Sequence, residues 1–116
     1  MSSDITTVVK QYLETWNTLV AEERRALVDK IFTEDVEYVD PNVAVQGRAA
    51  LDSYIEQTQK QFPGFVFSLA GDISAHHDVA RFTWHVGPPG AAPVAVGYDF
   101  AAVRDGQVRQ LYGFFS

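Results

Sequence analysis

Residues 93–115, PVAVGYDFAAVRDGQVRQLYGFF, consist of two apolar runs on either side of Asp105-Gly106. Both runs are rich in the aromatic and β-branched residues that strands favour. Asp-Gly between two such runs is a strong signal for a tight β-hairpin. The segment therefore predicts two long antiparallel strands, one over Pro93–Arg104 and one over Gln107–Phe115.

The first of these strands is apolar on both faces. Asp99 is the only charged side chain in Val94–Val103. A sheet with one solvated face alternates apolar and polar residues, so both faces of this strand must be covered. Helices can cover one face, and a partner subunit is the simplest cover for the other. We therefore expect a homodimer that hides Tyr98 and Phe100, with Asp99 on the opposite face.

The first half of the chain carries apolar residues at three- and four-residue steps, a spacing that predicts amphipathic helices. Ser3 or Asp4 is expected to cap the first helix. Charged residues, Arg24 among them, are expected on the solvent side of the second, and Pro63-Gly64 ends the third. The predicted helices span about residues 5–19, 21–32 and 48–61.

The remaining segments predict shorter strands. One covers Val36–Val39 and ends at Asp40-Pro41, because proline cannot continue a strand ladder. Two more are predicted over residues 65–70 and 79–86. Helices followed by antiparallel strands indicate a single α+β domain over residues 1–116.

Composition and charge exclude several classes of function. The chain has 116 residues, a net charge of −6 and no cysteine. The negative charge disfavours binding to nucleic acids and to anionic membranes, and the lack of cysteine excludes disulfides and thiolate chemistry. The N-terminus has no signal-peptide pattern, so a cytoplasmic location is expected.

No cofactor or metal is predicted. Gly87–Gly90 contains two prolines, which have no N–H to offer a phosphate, so it is expected to be a loop. The histidines of His76-His77-Asp78 are adjacent, and adjacent side chains on a strand diverge. We expect a surface turn there rather than a metal site.

A series of short motifs resembles the nuclear transport factor two-like superfamily and, within it, the SnoaL-like domains. The motifs are Tyr12–Asn17, Tyr38–Pro41, Gly47, Phe62–Gly64 and Gly97–Asp99. The resemblance covers nearly the whole chain. It implies a strongly curved antiparallel sheet wrapped around three N-terminal helices, as a cone open at one end. Members of this superfamily commonly dimerise through the convex sheet face.

Ketosteroid isomerase belongs to the same superfamily, and the resemblance implies residue roles by position. Asp40 would be the carboxylate base, while Tyr12 and Asp99 would donate hydrogen bonds to the developing oxyanion. The residues also allow other interpretations. Asp40 before proline can shape a turn, Tyr12 can pack in a core, and Arg81 could hold Asp99 ionised.

The predicted site is an apolar cavity between the first helix and the concave sheet face. Trp16, Tyr38 and Trp84 are its candidate ligand-binding residues, and Tyr12, Asp40 and Asp99 its candidate catalytic residues. Asp40 is expected near the mouth and Asp99 deeper, where an apolar neighbourhood raises the pKa of its carboxyl.

Three functions fit such a cavity. The chain could be a cofactor-free isomerase, cyclase or lyase that uses carboxylate acid–base chemistry. It could instead bind a small apolar molecule without catalysis, or serve as a dimeric interaction module with a vestigial pocket. The sequence alone leaves these alternatives open.

Overall fold

The computed structural model describes residues 2–116, and the side chains of residues 5–116. The cap predicted at Ser3 or Asp4 lies outside the described side chains. The helices are α1 (Ser2–Asn17), α2 (Ala21–Ile31) and α3 (Arg48–Gln61). The strands are β1 (Phe32–Asp40), β2 (Val43–Gln46), β3 (Val66–His76), β4 (Val79–Gly87), β5 (Ala95–Arg104) and β6 (Gln107–Phe115). The predicted α+β class is confirmed.

The strands form one six-stranded sheet in the order β2-β1-β6-β5-β4-β3. All neighbouring pairs are antiparallel except β1 and β6, which run parallel. The expectation of a wholly antiparallel sheet is therefore wrong at this pair. Between β1 and β6 the chain passes through α3 and four further strands, so no tight hairpin dictates an antiparallel arrangement there.

Strand β1 starts directly after α2, at Phe32, rather than at Val36 as predicted. Phe32 has an extended backbone, with φ −107° and ψ 147°. Its ring is fully buried edge-on to Tyr12, with centroids 5.8 Å apart. The guanidinium of Arg48 donates to the Phe32 carbonyl at 2.9 and 2.6 Å. Core packing thus ends α2 earlier than the apolar spacing indicates.

Strand β2 lies beyond Asp40-Pro41, where the sequence predicts the end of the ladder. The chain instead turns and pairs back on itself, with Val43 opposite Asp40. The Oδ1 atom of Asp40 accepts the backbone N–H groups of Asn42 at 2.8 Å and Val43 at 3.1 Å. Pro41 occupies a turn position where its missing N–H costs nothing.

Helix α1 packs on the concave face, mainly against β3. A register shift between Ala70 and Ser74 includes Gly71 at φ 76°, and such bulges bend a strand. At the end of α1, the Asn17 side chain donates to the Phe67 carbonyl and accepts the Phe67 N–H, both at 2.8 Å. This pair of hydrogen bonds fixes the helix end on the sheet.

Arg24 departs from its predicted place on the solvent side of α2, since it is only 1% exposed. Its Nε donates to Asp52 at 2.8 Å and its Nη1 donates to Gln59 at 3.0 Å. Gln59 in turn donates to the Trp16 carbonyl at 3.1 Å. A guanidinium can be buried where such acceptors meet it. The acceptors belong to α3, so the spacing along α2 could not reveal them.

Candidate functional site

A cavity of about 620 Å³ lies between α1, α3 and the concave face of the sheet. Exposed apolar side chains surround its opening, among them Leu19, Phe62 and Val94. The structure brings all six residues predicted for the site to this one cavity: Tyr12, Trp16, Tyr38, Asp40, Trp84 and Asp99. Their roles in binding or catalysis stay predictions.

Asp99 projects from β5 into the cavity and is only 3% exposed. Its Oδ1 accepts the indole N–H of Trp84 at 3.0 Å. Burial raises the pKa of Asp99 to about 7, while hydrogen bonding with Trp84 and Tyr12 lowers it in part and the charge of Asp40 raises it further. Arg81, the alternative partner, is exposed on the other sheet face. The raised pKa agrees with the expectation for a cavity-facing carboxyl.

Asp40 is half-buried at the end of β1 and accepts hydrogen bonds on both oxygens. Its Oδ2 accepts the phenols of Tyr38 at 2.7 Å and Tyr54 at 2.8 Å. Its Oδ1 accepts the two turn amides of Asn42 and Val43. Two donors on each oxygen fill the acceptor capacity of a carboxylate. Asp40 therefore shapes the turn and faces the cavity at once, without a free lone pair.

Tyr12 lies deep in the cavity, 2% exposed. Its ring packs edge-on against Phe32 and Phe82, with centroids 5.8 and 6.0 Å away. Burial raises the pKa of the Tyr12 phenol well above its ordinary value, and the nearby Asp99 carboxyl raises it further. The phenol stays protonated across the physiological range and can act as a hydrogen-bond donor.

Aromatic rings form the cavity wall around Trp16. Its ring centroid lies 5.9 Å from those of Tyr38 and Tyr54 and 5.3 Å from that of Phe67. Phe67 continues the wall to Trp84 at 5.6 Å. Such a wall suits a flat, ring-containing ligand.

Tyr54 and Phe67 line the cavity but were not predicted as site residues from the sequence, and Tyr54 is the one with a polar group. It lies on the apolar side of α3, where packing alone explained it. A phenol on the apolar side of a helix needs a hydrogen-bond partner as it becomes covered, and that requirement was the available signal. Its partner, Asp40, is on β1, and only the folded structure shows the two together. Burial and hydrogen bonding to Asp40 both raise the pKa of Tyr54.

The side chains of Asp40 and Asp99 both lie beside Gly113 of β6, which is opposite Asp99 in the sheet. A Cβ atom at this position would lie 2.9 Å from Oδ1 of Asp99 and 3.4 Å from Cβ of Asp40. The absent side chain gives both acids access to one space.

The fold and the order of these residues match a known family. Residues 9–111 match the model of the SnoaL-like domain. The chain belongs to the SnoaL-like family. The resemblance predicted from the short motifs is thereby confirmed.

Solved structures agree with this assignment. A proposed isomerase of the SnoaL-like family from Agrobacterium tumefaciens is 32% identical, with 98% of each chain covered and a TM-score of 0.92. A proposed ketosteroid isomerase from Kribbella flavida is 22% identical over 99% of this chain and 79% of its own, with a TM-score of 0.75. A proposed SnoaL-like polyketide cyclase from Jannaschia is 16% identical over 99% of this chain and 87% of its own, with a TM-score of 0.79. The last two likenesses show the fold alone. No curated protein is significantly similar to the chain.

Outside the cavity, the paired histidines of the SnoaL-like domain are exposed where the chain turns from β3 to β4, with His76 the last residue of β3 and His77 in the turn that the sequence predicts. The Nδ1 atoms of His76 and His77 lie 3.0 Å apart. Among the side chains of residues 5–116, no three from His, Cys, Asp or Glu converge as a metal-binding group. Over the same residues, no helix combines the length and apolar character needed to cross a membrane.

Proposed function

We propose that the SnoaL-like domain binds a small uncharged molecule in its cavity and catalyses proton transfer beside a carbonyl group without a cofactor. The observation that carries this proposal is Asp99, a buried cavity carboxyl whose pKa is raised to about 7. A group that transfers protons works best when its pKa is near the working pH. The aromatic wall supplies the binding surface.

Asp99 is assigned the proton transfer and Tyr12 the hydrogen bond to the substrate oxygen. Ionised Asp99 removes a proton from the carbon next to the carbonyl, and the C–H electron pair forms an enolate whose oxygen accepts the Tyr12 phenol. In a ketone with a C=C bond next to that carbon, the enolate is conjugated with the double bond; Asp99 then returns the proton to the far carbon, the double bond shifts, the carbonyl re-forms and an isomer is left. Asp40, which the family resemblance implied as the base, holds the phenols of Tyr38 and Tyr54 in place.

The charges around the cavity support an uncharged ligand. The lining contains two carboxyl groups, those of Asp40 and Asp99, and no Lys, Arg or His among the described residues. A carboxylate ligand would lose water and gain no countercharge there. A neutral ketone meets aromatic rings and one deep phenol donor instead.

The proposal is tested with β-tetralone, a neutral fused-ring ketone, in heavy water. The protein should accelerate deuterium incorporation at the carbons next to the carbonyl, measured by NMR. The matched β-tetralone bearing a ring carboxylate should exchange at least about tenfold more slowly, because the cavity gives its charge no partner. Equal exchange of both ketones would contradict the assignment to uncharged ligands.

A second candidate is a binder without catalysis, and the hydrogen bonds of Asp40 favour it. With two donors on each oxygen, this carboxylate is not free to act as the base that the family resemblance implied. A pure binder would hold ketones in the same cavity with no deuterium exchange above the buffer rate. Substitution of Asp99 would then change only affinity.

We also propose that two copies of the chain associate through the outer sheet face. Tyr98, Phe100 and Phe114 are 39, 44 and 43% exposed there. Tyr98 stacks on Phe114 across the strands with ring centroids 5.3 Å apart, and Phe100 meets Phe114 edge-on at 6.0 Å. Exposed contiguous aromatic side chains indicate an interaction surface. The same aromatic patch on a second copy is an apolar surface that can cover it.

Light scattering should give a mass twice the 12.9 kDa of one chain. Tyr98→Lys should shift the protein to monomer, because it places two like charges in the apolar contact. Phe62→Lys is the matched control, since Phe62 is an equally exposed aromatic, 46%, at the cavity mouth. A wild-type monomer at micromolar concentration would contradict the proposed dimer.

A further inference from the structure

The indole of Trp84 crosses strand β5 directly over Gly97. The two residues are paired across β4 and β5. A Cβ atom at position 97 would lie 2.2 Å from Cζ2 and 2.6 Å from Cε2 of Trp84, far inside van der Waals contact. Gly97 is not among the glycines with positive φ, so backbone freedom does not explain it. The space that it leaves for the indole does.

This crossing brings the indole to Asp99, which is two residues further along β5. The N–H of Trp84 reaches Oδ1 at 3.0 Å. Oδ1 itself occupies the space that a side chain on Gly113 would fill, 2.9 Å from its ideal Cβ position. Trp84 is 7% and Asp99 3% exposed, so water does not compete for this bond. A glycine therefore lies beneath each of the two bonded side chains.

We propose that Trp84 is a positioning residue, seated by Gly97, which fixes the Asp99 carboxyl through Oδ1 and directs the acid proton to the other oxygen, Oδ2. An oxygen that already accepts a buried N–H is best suited to be the carbonyl oxygen of the neutral acid. The reason why this orientation matters rests on the proposed proton transfer. The bond and its effect on Asp99 do not depend on turnover.

Other groups around Asp99 act on it differently. Tyr12 of α1 lowers the pKa of the carboxyl, and Asp40 of β1 raises it through its charge. Tyr38 of β1 is a neutral phenol whose pKa is raised far above the ordinary value, chiefly by burial. The indole is a donor that does not titrate. It stabilises ionised Asp99 at every pH, against the effect of burial.

An NMR titration of the Asp99 carboxyl carbon tests this in the wild type and two variants. Trp84→Phe should raise the pKa of Asp99, because a buried hydrogen bond to a charged group is lost. The acid dissociation constant of Asp99 should fall by about tenfold or more. Trp16→Phe is the matched control, as it truncates the other cavity tryptophan in the same way. It should change that constant by less than about twofold. An unchanged pKa in Trp84→Phe, or an equal rise in Trp16→Phe, would overturn the proposal.

A second readout needs no variant that could fail to fold. In the wild type, the indole N–H resonance of Trp84 should titrate with the same midpoint as the Asp99 carboxyl. An indole resonance whose chemical shift does not change as Asp99 titrates would overturn the proposal. Gly97→Ala should uncouple the two resonances by displacing the ring, and coupling that survives it would show that Gly97 does not seat the indole. If the protein catalyses no ketone exchange but the indole resonance titrates with Asp99, the proposed function is wrong and this inference stands. If the protein is active but the indole resonance does not titrate with Asp99, this inference is wrong and the proposed function stands.

Discussion

Replacing Asp99 with asparagine should lower the rate of deuterium exchange into β-tetralone by about 10²–10⁴-fold, the usual contribution of a general acid–base group. Asparagine has nearly the same shape, and its amide oxygen can still accept the Trp84 indole. The cavity and the fold should therefore persist while the proton-transfer group is lost. Binding of the ketone, followed by fluorescence of the cavity tryptophans, should change little by comparison.

Two further variants serve as comparisons for Asp99→Asn. Asp78→Asn, in the exposed turn beside His77, should exchange at the wild-type rate. Asp40→Asn should lose less activity than Asp99→Asn, because an amide oxygen can still accept the phenol of Tyr38 or Tyr54. If Asp40→Asn were inactive and Asp99→Asn nearly normal, Asp40 would be the base, as the family resemblance implied.

The pH profile of exchange separates the two roles of Asp99. A base must be ionised, so the rate should rise with pH up to a pKa of about 7 and then level off. A neutral carboxyl that only donates a hydrogen bond would show the opposite, with activity lost above the same pH. Asp99→Asn should remove this inflection along with the activity.

The same substitution should stabilise the protein at neutral pH. The pKa of Asp99 is about 7 in the folded chain and about 4 in an unfolded one. Between these values only the folded chain keeps the proton, so the free energy of unfolding falls as pH rises, by about 4 kcal/mol in all. The asparagine side chain cannot ionise, and the variant escapes this loss.

Urea unfolding of wild type and Asp99→Asn across this pH range measures the effect. The advantage of the variant should be small below about pH 4, grow up to about pH 7 and stay constant above it. Arg104 lowers the pKa of Asp35 to about 2, but this group is common to both proteins and cancels in the difference. A difference independent of pH would mean that Asp99 is not desolvated in the folded protein.

Much of the fold could be predicted from the sequence because the residues that determine it lie close together in the chain. Asp105 and Gly106 adopt φ angles of 54° and 79°, as a two-residue hairpin turn requires. Helix α3 has its predicted bounds, Arg48–Gln61, because Gly47 and Pro63-Gly64 mark its ends. The strand alternation that put Asp99 on the face opposite Tyr98 is equally local.

The rest depends on contacts between distant segments. Arg24 is buried because α3 supplies Asp52 and Gln59, and Asp40 is saturated because Tyr54 reaches it from the same helix. Neither pairing can be inferred from the spacing of apolar and polar residues within the segment that contains Arg24 or Asp40. The requirement for glycine opposite Trp84 likewise appears only once β4 and β5 are in register.

Proton transfer in this cavity requires Asp99 to be a buried carboxyl that exchanges its proton near neutral pH. An NMR titration of its carboxyl carbon in the wild-type protein tests this directly. We expect a midpoint at a pKa of about 7. A midpoint near 4, the value of about 3.9 for a free aspartate side chain, would contradict it.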